Sequence, residues 1–150
     1  MIPSQDLKIV PITPPGARVD NASFATTEID TLGYNRVLIV VQLGATDVGM
    51  AALKVEAGDT SGSLSDVSAL TYGTAINTDG DFSTTPQSVN DNALFAFDID
   101  PAKVGRYLDL VAIAGNGSTG TYLSAFAVLF RADECPSTAA DQGFDQVLRY

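Results

Sequence analysis

Apolar and polar residues alternate with a period of two along much of this chain, which predicts half-buried β-strands. Two segments follow this pattern, Met50–Ala57 and Ala93–Ile99, and Arg106–Ala114 is predicted as the next strand. In the first two, the residues predicted to point into a core are Leu53, Val55, Ala57, Phe95, Phe97 and Ile99.

Two further segments are apolar on both faces. Arg36–Leu43 (RVLIVVQL) is nearly all apolar and predicts a central strand covered on both sides. Thr121–Arg131 is the second segment, with Tyr122, Phe126, Val128 and Phe130 on one face and Leu123, Ala125, Ala127 and Leu129 on the other. This pattern predicts either another central strand or a strand whose second face meets a partner.

Turn-forming residues separate these strands. Gly44–Gly49 and Gly115–Gly120 have hairpin composition, and Asp59–Ser65 is predicted to be a loop before a short strand at Val67–Tyr72. Thr74–Asn92 is polar and predicts a long surface loop. Because no segment shows a helical period, the fold class is predicted as all-β, a β-sandwich or jelly roll.

The two ends of the chain differ from this core. Residues 1–16 contain four prolines and predict an extended N-terminal arm or an edge strand, 17–132 form the sandwich domain, and 133–150 form a tail with one helical turn at Thr138–Gln142. The apolar residues of the ends are candidate contacts with other subunits or a capsid: Leu7, Ile9, Val10, Ile12, Phe144, Val147, Leu148 and Tyr150. On this interpretation, deletion of residues 1–15 leaves the core folded. The alternative is that both ends fold back on their own domain.

Composition narrows the range of functions. The 150 residues fit one domain, and 18 acidic against 8 basic residues give a net charge of −10. Such a charge disfavours nucleic-acid binding, which needs clustered Lys and Arg. The acidity suits solubility or a basic partner such as a capsid shell. No signal-peptide pattern or membrane-spanning apolar run is visible, so synthesis in the host cytoplasm is expected.

Candidate chemistry is sparse. The chain has no histidine, which removes the commonest general base, and its one cysteine, Cys135, excludes an intramolecular disulfide. Asp98, Asp100 and Asp109 could in principle pair as glycosidase carboxylates, but the chain has no tryptophan for a sugar platform. We expect no enzymatic activity and no cofactor.

A polar cluster between Asp79 and Asn92 carries oxygen ligands of the kind that calcium takes. Asp79 does not start an EF-hand pattern, so ordinary Asx turns are the favoured interpretation and no metal site is predicted.

Four motifs resemble small proteins encoded among tailed-phage and prophage virion genes. They are EIDTLGY at 28–34, LGATDVGMAALKV at 43–55, RYLDLVA at 106–112 and GTYLSA at 120–125, within a resemblance covering roughly 24–139. It implies a capsid decoration or cement protein on the virion surface, with the major capsid protein as partner and a homotrimer as the favoured assembly.

Two alternatives to a decoration protein stay open. One is a minor head or tail component. The other is a carbohydrate- or ligand-binding β-sandwich, whose aromatic platform would come from Tyr34, Tyr72, Tyr107 or Tyr122.

Overall fold

The computed structural model describes residues 6–73, 84–136 and 138–148. The strands are β1 (Leu7–Thr13), β2 (Ile29–Asp30), β3 (Tyr34–Thr46), β4 (Ala52–Thr60), β5 (Ser63–Thr71), β6 (Leu94–Ile99), β7 (Tyr107–Ile113) and β8 (Thr121–Ala132). The helices are a 3₁₀ turn at Ser88–Asn90 and α1 (Pro101–Val104). No helix within these ranges is long and apolar enough to cross a membrane.

The strands form two four-stranded antiparallel sheets. Sheet A has the order β1-β8-β3-β6, and sheet B has the order β2-β7-β4-β5. One apolar face of each sheet is buried, as expected for a β-sandwich. The prediction of an all-β sandwich is confirmed.

The core consists of every second residue of the central strands. Val37, Ile39, Val41 and Leu43 of β3 have no exposed surface. The inward residues predicted from the alternating segments are all buried: Leu53, Val55, Ala57, Phe95, Phe97 and Ile99. The period of two therefore identified the core faces of β4 and β6 correctly.

The second face of β3 corrects one prediction. Arg36–Leu43 was expected to be covered on both sides, but Leu38 and Val40 on its other face are only half-buried. On the same side of sheet A, Leu94, Tyr122 and Phe126 are exposed, so a large part of this side meets solvent.

The connection between β4 and β5 is a second correction. Asp59–Ser65 was expected to be a loop, whereas both strands continue to a tight turn at Ser61 and Gly62. Gly62 has φ +72°, a conformation that glycine adopts without strain. The Glu28 carboxylate accepts hydrogen bonds from the Ser61 hydroxyl and the Gly62 N–H at 2.6 and 2.8 Å. These contacts fix the turn and let the serine-rich segment form an edge strand.

The N-terminal segment is the edge strand of sheet A. Within the described residues, β1 pairs with β8 from Leu7 opposite Phe130 to Thr13 opposite Ala125. Ile12 is 1% exposed and belongs to the core. Residues 7–13 are thus integrated into the sandwich, and the expectation that they can be deleted without affecting the core does not fit their packing.

The tail folds back on its own domain. It forms the predicted helical turn, in which Thr138 and Asp141 each donate a backbone N–H to the other's side chain at 3.1 Å. The turn ends at Gly143, which has φ +81°, and the Phe144 N–H donates to the Ala139 carbonyl at 2.9 Å. The Gln142 carbonyl accepts the Ile9 N–H at 2.8 Å, which joins the tail to β1.

Candidate functional site

The side of sheet A that faces away from the core is a continuous apolar surface, here called the outer face. Its apolar residues are Leu7, Ile9 and Pro11 on β1, Tyr122, Phe126, Val128 and Phe130 on β8, Leu38 and Val40 on β3, and Leu94 and Ala96 on β6. Strand register aligns Pro11, Phe126, Val40 and Ala96 in one row across all four strands.

Several large residues of the outer face are well exposed. Leu94 is 68% exposed, Tyr122 42% and Phe126 40%. Leu38 and Val40, in the middle of the face, are half-buried. An antiparallel sheet with one solvated face usually places polar residues there, whereas a large contiguous apolar patch is typical of an interaction site.

Charge is nearly absent from the outer face. Arg36 and Asp98 form an ion pair at one end of it, and their charges cancel. At the opposite end, the Arg18 guanidinium lies over the Tyr122 ring, 5.4 Å from its centroid. Gln42 and Ser124, which pair across β3 and β8, contribute neutral polar groups.

The solvent side of sheet B has a different character. Lys54 pairs with Glu56 at 3.4 Å and with Asp66, and the hydrogen bond with Asp66 raises the pKa of Lys54. Asp109 lies opposite Glu56, and one of its carboxylate oxygens is buried without a hydrogen-bond partner among the described residues. Acidic groups therefore dominate sheet B, while the outer face of sheet A is apolar.

The tail closes part of the β1 edge of sheet A, whose other edge is β6. The Ile9 N–H is bonded to Gln142, and a Cβ at Gly143 would lie 1.8 Å from the Ile9 carbonyl oxygen. An incoming strand could not pair with Ile9 while the tail is in place.

The structure places the predicted contact residues in different environments. Leu7 and Ile9 lie on the outer face, whereas Val10 points inward and Ile12 is buried, so the structure corrects the prediction of Ile12 as a surface contact. In the tail, Phe144 is 36% exposed, Val147 is half-buried and Leu148 is fully exposed. Tyr150 lies outside the described residues, as do Asp79 and Asp81 of the polar cluster considered for calcium.

Sequence reasoning did not select Leu38 or Val40 as site residues. The signal was present in the run RVLIVVQL, but it was interpreted as a strand covered on both sides. The corresponding pattern in β8 did leave a partner open as one explanation. The two strands are neighbours, and together they form the centre of the outer face.

A shallow hollow opens at the Tyr122 end of the outer face. Its volume is about 400 Å³ including the open mouth, and its lining residues are Pro15, Gly16, Gln42, Leu43, Gly44, Asn92, Tyr122, Leu123 and Ser124. All of these side chains are uncharged. Gly44 is required here because a Cβ at this position would lie 2.7 Å from the Tyr122 Cβ.

No protein-family model matches the chain, and no curated protein matches it. Among solved structures, the chain is similar to YomS, a protein derived from the SPBc2 prophage, with 14% identity and a TM-score of 0.48 over 83% of this chain and 92% of YomS. It is also similar to YxiM of Bacillus subtilis, with 20% identity and a TM-score of 0.34 over 89% of this chain and 32% of YxiM. Likenesses this distant carry no argument about function.

Proposed function

We propose that this chain is a non-enzymatic structural protein of a phage virion, a decoration or cement protein that forms a homo-oligomer on the outer surface of the capsid. The observation that carries the proposal is the apolar outer face of sheet A. Burial of each large apolar side chain on such a face is worth about 1.5–3 kcal/mol, so protein contacts are the natural use of this surface.

The two solvent-facing sides of the sandwich differ in charge and therefore suit different partners. The outer face is nearly uncharged and suits contacts between protein subunits. The acidic remainder of the molecule, including Glu56, Asp66 and Asp109 on sheet B, suits the basic patches of a capsid shell. The major capsid protein is the partner that this proposal names. An oligomer that binds several capsid sites at once gains avidity from its number of copies.

The experiment that tests the proposal is co-fractionation with virions. The chain is expressed with an epitope tag in a host that produces the phage, and particles are separated on a density gradient and probed by immunoblot. We expect the protein in the particle fraction, accessible to antibody on intact capsids. Recovery only in the soluble fraction would contradict a virion role. Recovery in free tails rather than heads would favour the minor tail component.

A second candidate function, binding of a neutral saccharide, is favoured by the hollow at Tyr122. An exposed aromatic ring beside the Gln42 and Asn92 amides and the Ser124 hydroxyl matches the apolar ring face and the hydroxyl groups of a sugar. Saturation-transfer NMR with neutral mono- and disaccharides tests this function. Binding should be lost in Tyr122→Ala and kept in Tyr107→Ala, a matched control because Tyr107 also lies under an arginine, Arg106, at 4.8 Å. An absence of saturation transfer to any neutral sugar would eliminate this candidate.

A further inference from the structure

We infer that the outer face of sheet A packs against a second copy of this chain; the inference rests on the proposed structural role and names the partner of that surface. The apolar row formed by Pro11, Phe126, Val40 and Ala96 crosses all four strands and would lie at the centre of the contact. Leu94 and Tyr122 would lie near its margin, where the face meets the loops.

The charge distribution favours a second copy of this chain, rather than a charged partner, as the occupant of the outer face. The chain carries a net charge of −10, so two copies repel each other through most of their surfaces. On the outer face, Arg36 and Asp98 neutralise each other, and Arg18 lies at the far end over Tyr122. A contact through this face therefore buries no uncompensated carboxylate, which would be costly. Added salt should strengthen the association, because it screens the remaining repulsion between acidic surfaces.

The size of the face is sufficient for a specific but modest contact. Four strands spaced about 4.8 Å apart, each contributing a stretch of roughly 25 Å, give roughly 500 Å² per copy. The total of roughly 1,000 Å² reaches the lower bound for a specific protein interface. We therefore expect association at micromolar protein concentrations rather than an obligate assembly.

At β1, one of the two edges of sheet A, the tail favours face packing over strand addition. At β1, the Ile9 N–H is already bonded to Gln142, and Gly143 lies against the Ile9 carbonyl. The copies would thus meet by stacking sheets, in the way that two sheets pack within one sandwich.

Sedimentation of the full chain at roughly 1–200 µM, at low and high salt, tests the inference. We expect a reversible oligomer whose dissociation constant rises at least tenfold in both Phe126→Asp and Phe126→Lys. Loss in both variants indicates apolar contact, because the two substitutions change the net charge in opposite directions. The matched control is Val111→Asp, a half-buried position in mid-strand on the solvent side of sheet B, which should leave the association unchanged.

Two outcomes would overturn the inference: a monomer at every concentration, or an oligomer that Phe126→Asp and Val111→Asp affect equally. Thermal unfolding of each variant verifies that it is folded, and Leu94→Asp, at a 68% exposed position, provides a second probe if Phe126→Asp does not fold. A monomer that still co-fractionates with capsids would reject the self-contact while leaving the virion role intact. An oligomer that is absent from virions would support the self-contact and reject the virion role.

Discussion

The Asp47 carboxylate accepts the backbone N–H of Thr119 at 2.6 Å, joining residues 72 positions apart in the chain. The same oxygen accepts the Ser118 N–H at 2.6 Å and the Thr119 hydroxyl at 3.1 Å. These hydrogen bonds, led by the one from the Thr119 backbone, hold the pKa of Asp47 well below its usual range. One carboxylate therefore fixes the loop between β7 and β8.

Asp47→Ala should destabilise the fold because it leaves the Ser118 and Thr119 N–H groups without their acceptor. Asp20→Ala is the matched control, since Asp20 accepts a single N–H of the same loop, that of Gly117, at 2.9 Å. We expect a larger fall in melting temperature for Asp47→Ala than for Asp20→Ala, measured by circular dichroism at pH 7. Equal melting temperatures in the two variants would show that Asp47 does not organise the loop.

The contribution of Asp47 to the stability of the fold should also depend on pH. Its pKa is depressed in the folded state, so the stabilisation is fully present above the unfolded pKa of about 3.9 and is lost as the pH falls through the folded pKa. The difference in melting temperature between wild type and Asp47→Ala should therefore shrink from pH 7 to pH 3. A difference that stays constant over this range would contradict the assigned role of the charge.

Gly143→Ala should detach the tail from β1. The left-handed φ of +81° alone costs a non-glycine residue about 1–2 kcal/mol, and the new Cβ would lie 1.8 Å from the Ile9 carbonyl oxygen. Gly33→Ala separates the two effects, because Gly33 has φ +83° but a Cβ added there would meet nothing within 4 Å. Hydrogen exchange should show loss of Ile9 amide protection in Gly143→Ala only. Retained protection would mean that the tail contact tolerates the side chain.

The sequence predicted the core faces well but could not tell an open apolar face from a covered one. Alternation identified Phe95, Phe97 and Ile99 as buried because each alternates with a polar or small neighbour. In β3, Leu38 and Val40 have the composition of buried residues, yet the described chain leaves them only half-buried. Periodicity reports that a surface is apolar, and whether the same chain or a partner covers it depends on tertiary structure.

Local composition also did not predict the structure of segments that depend on contacts with distant parts of the chain. The serine-rich start of β5 was expected to belong to a loop, yet pairing with β4 and the Glu28 contact to the turn extend the strand back to Ser63. The edge position of β1 depends on its register with β8, more than a hundred residues later. The sequence left both the edge strand and the free arm open, and it offered no local signal to decide between them.

Val41→Asp should abolish cooperative folding. Val41 has no exposed surface, and an unpaired buried charge costs several kcal/mol against a total stability of about 5–15 kcal/mol. Gln42→Asp introduces the same charge at the next position of β3, which is exposed on the opposite side of the sheet. Chemical denaturation should give a normal transition for Gln42→Asp and none for Val41→Asp. A soluble, cooperatively unfolding Val41→Asp protein would show that this face of β3 is not the core.

Ile12→Ala tests whether the N-terminal strand is part of the core or a dispensable arm. Ile12 is 1% exposed and lies beside Thr13, which is held by a hydrogen bond from its hydroxyl to the Ala25 carbonyl at 3.0 Å. Truncation of a buried isoleucine costs about 2–5 kcal/mol, whereas Pro11→Ala, at the exposed neighbouring position, should cost far less. Guanidinium unfolding midpoints measure the stability of both variants.

Deletion of residues 1–15 should lower the midpoint at least as much as Ile12→Ala, because it also removes the backbone pairing between β1 and β8. If the deleted protein instead unfolds at the wild-type midpoint, the segment is an arm whose contacts contribute nothing to the stability of its own domain.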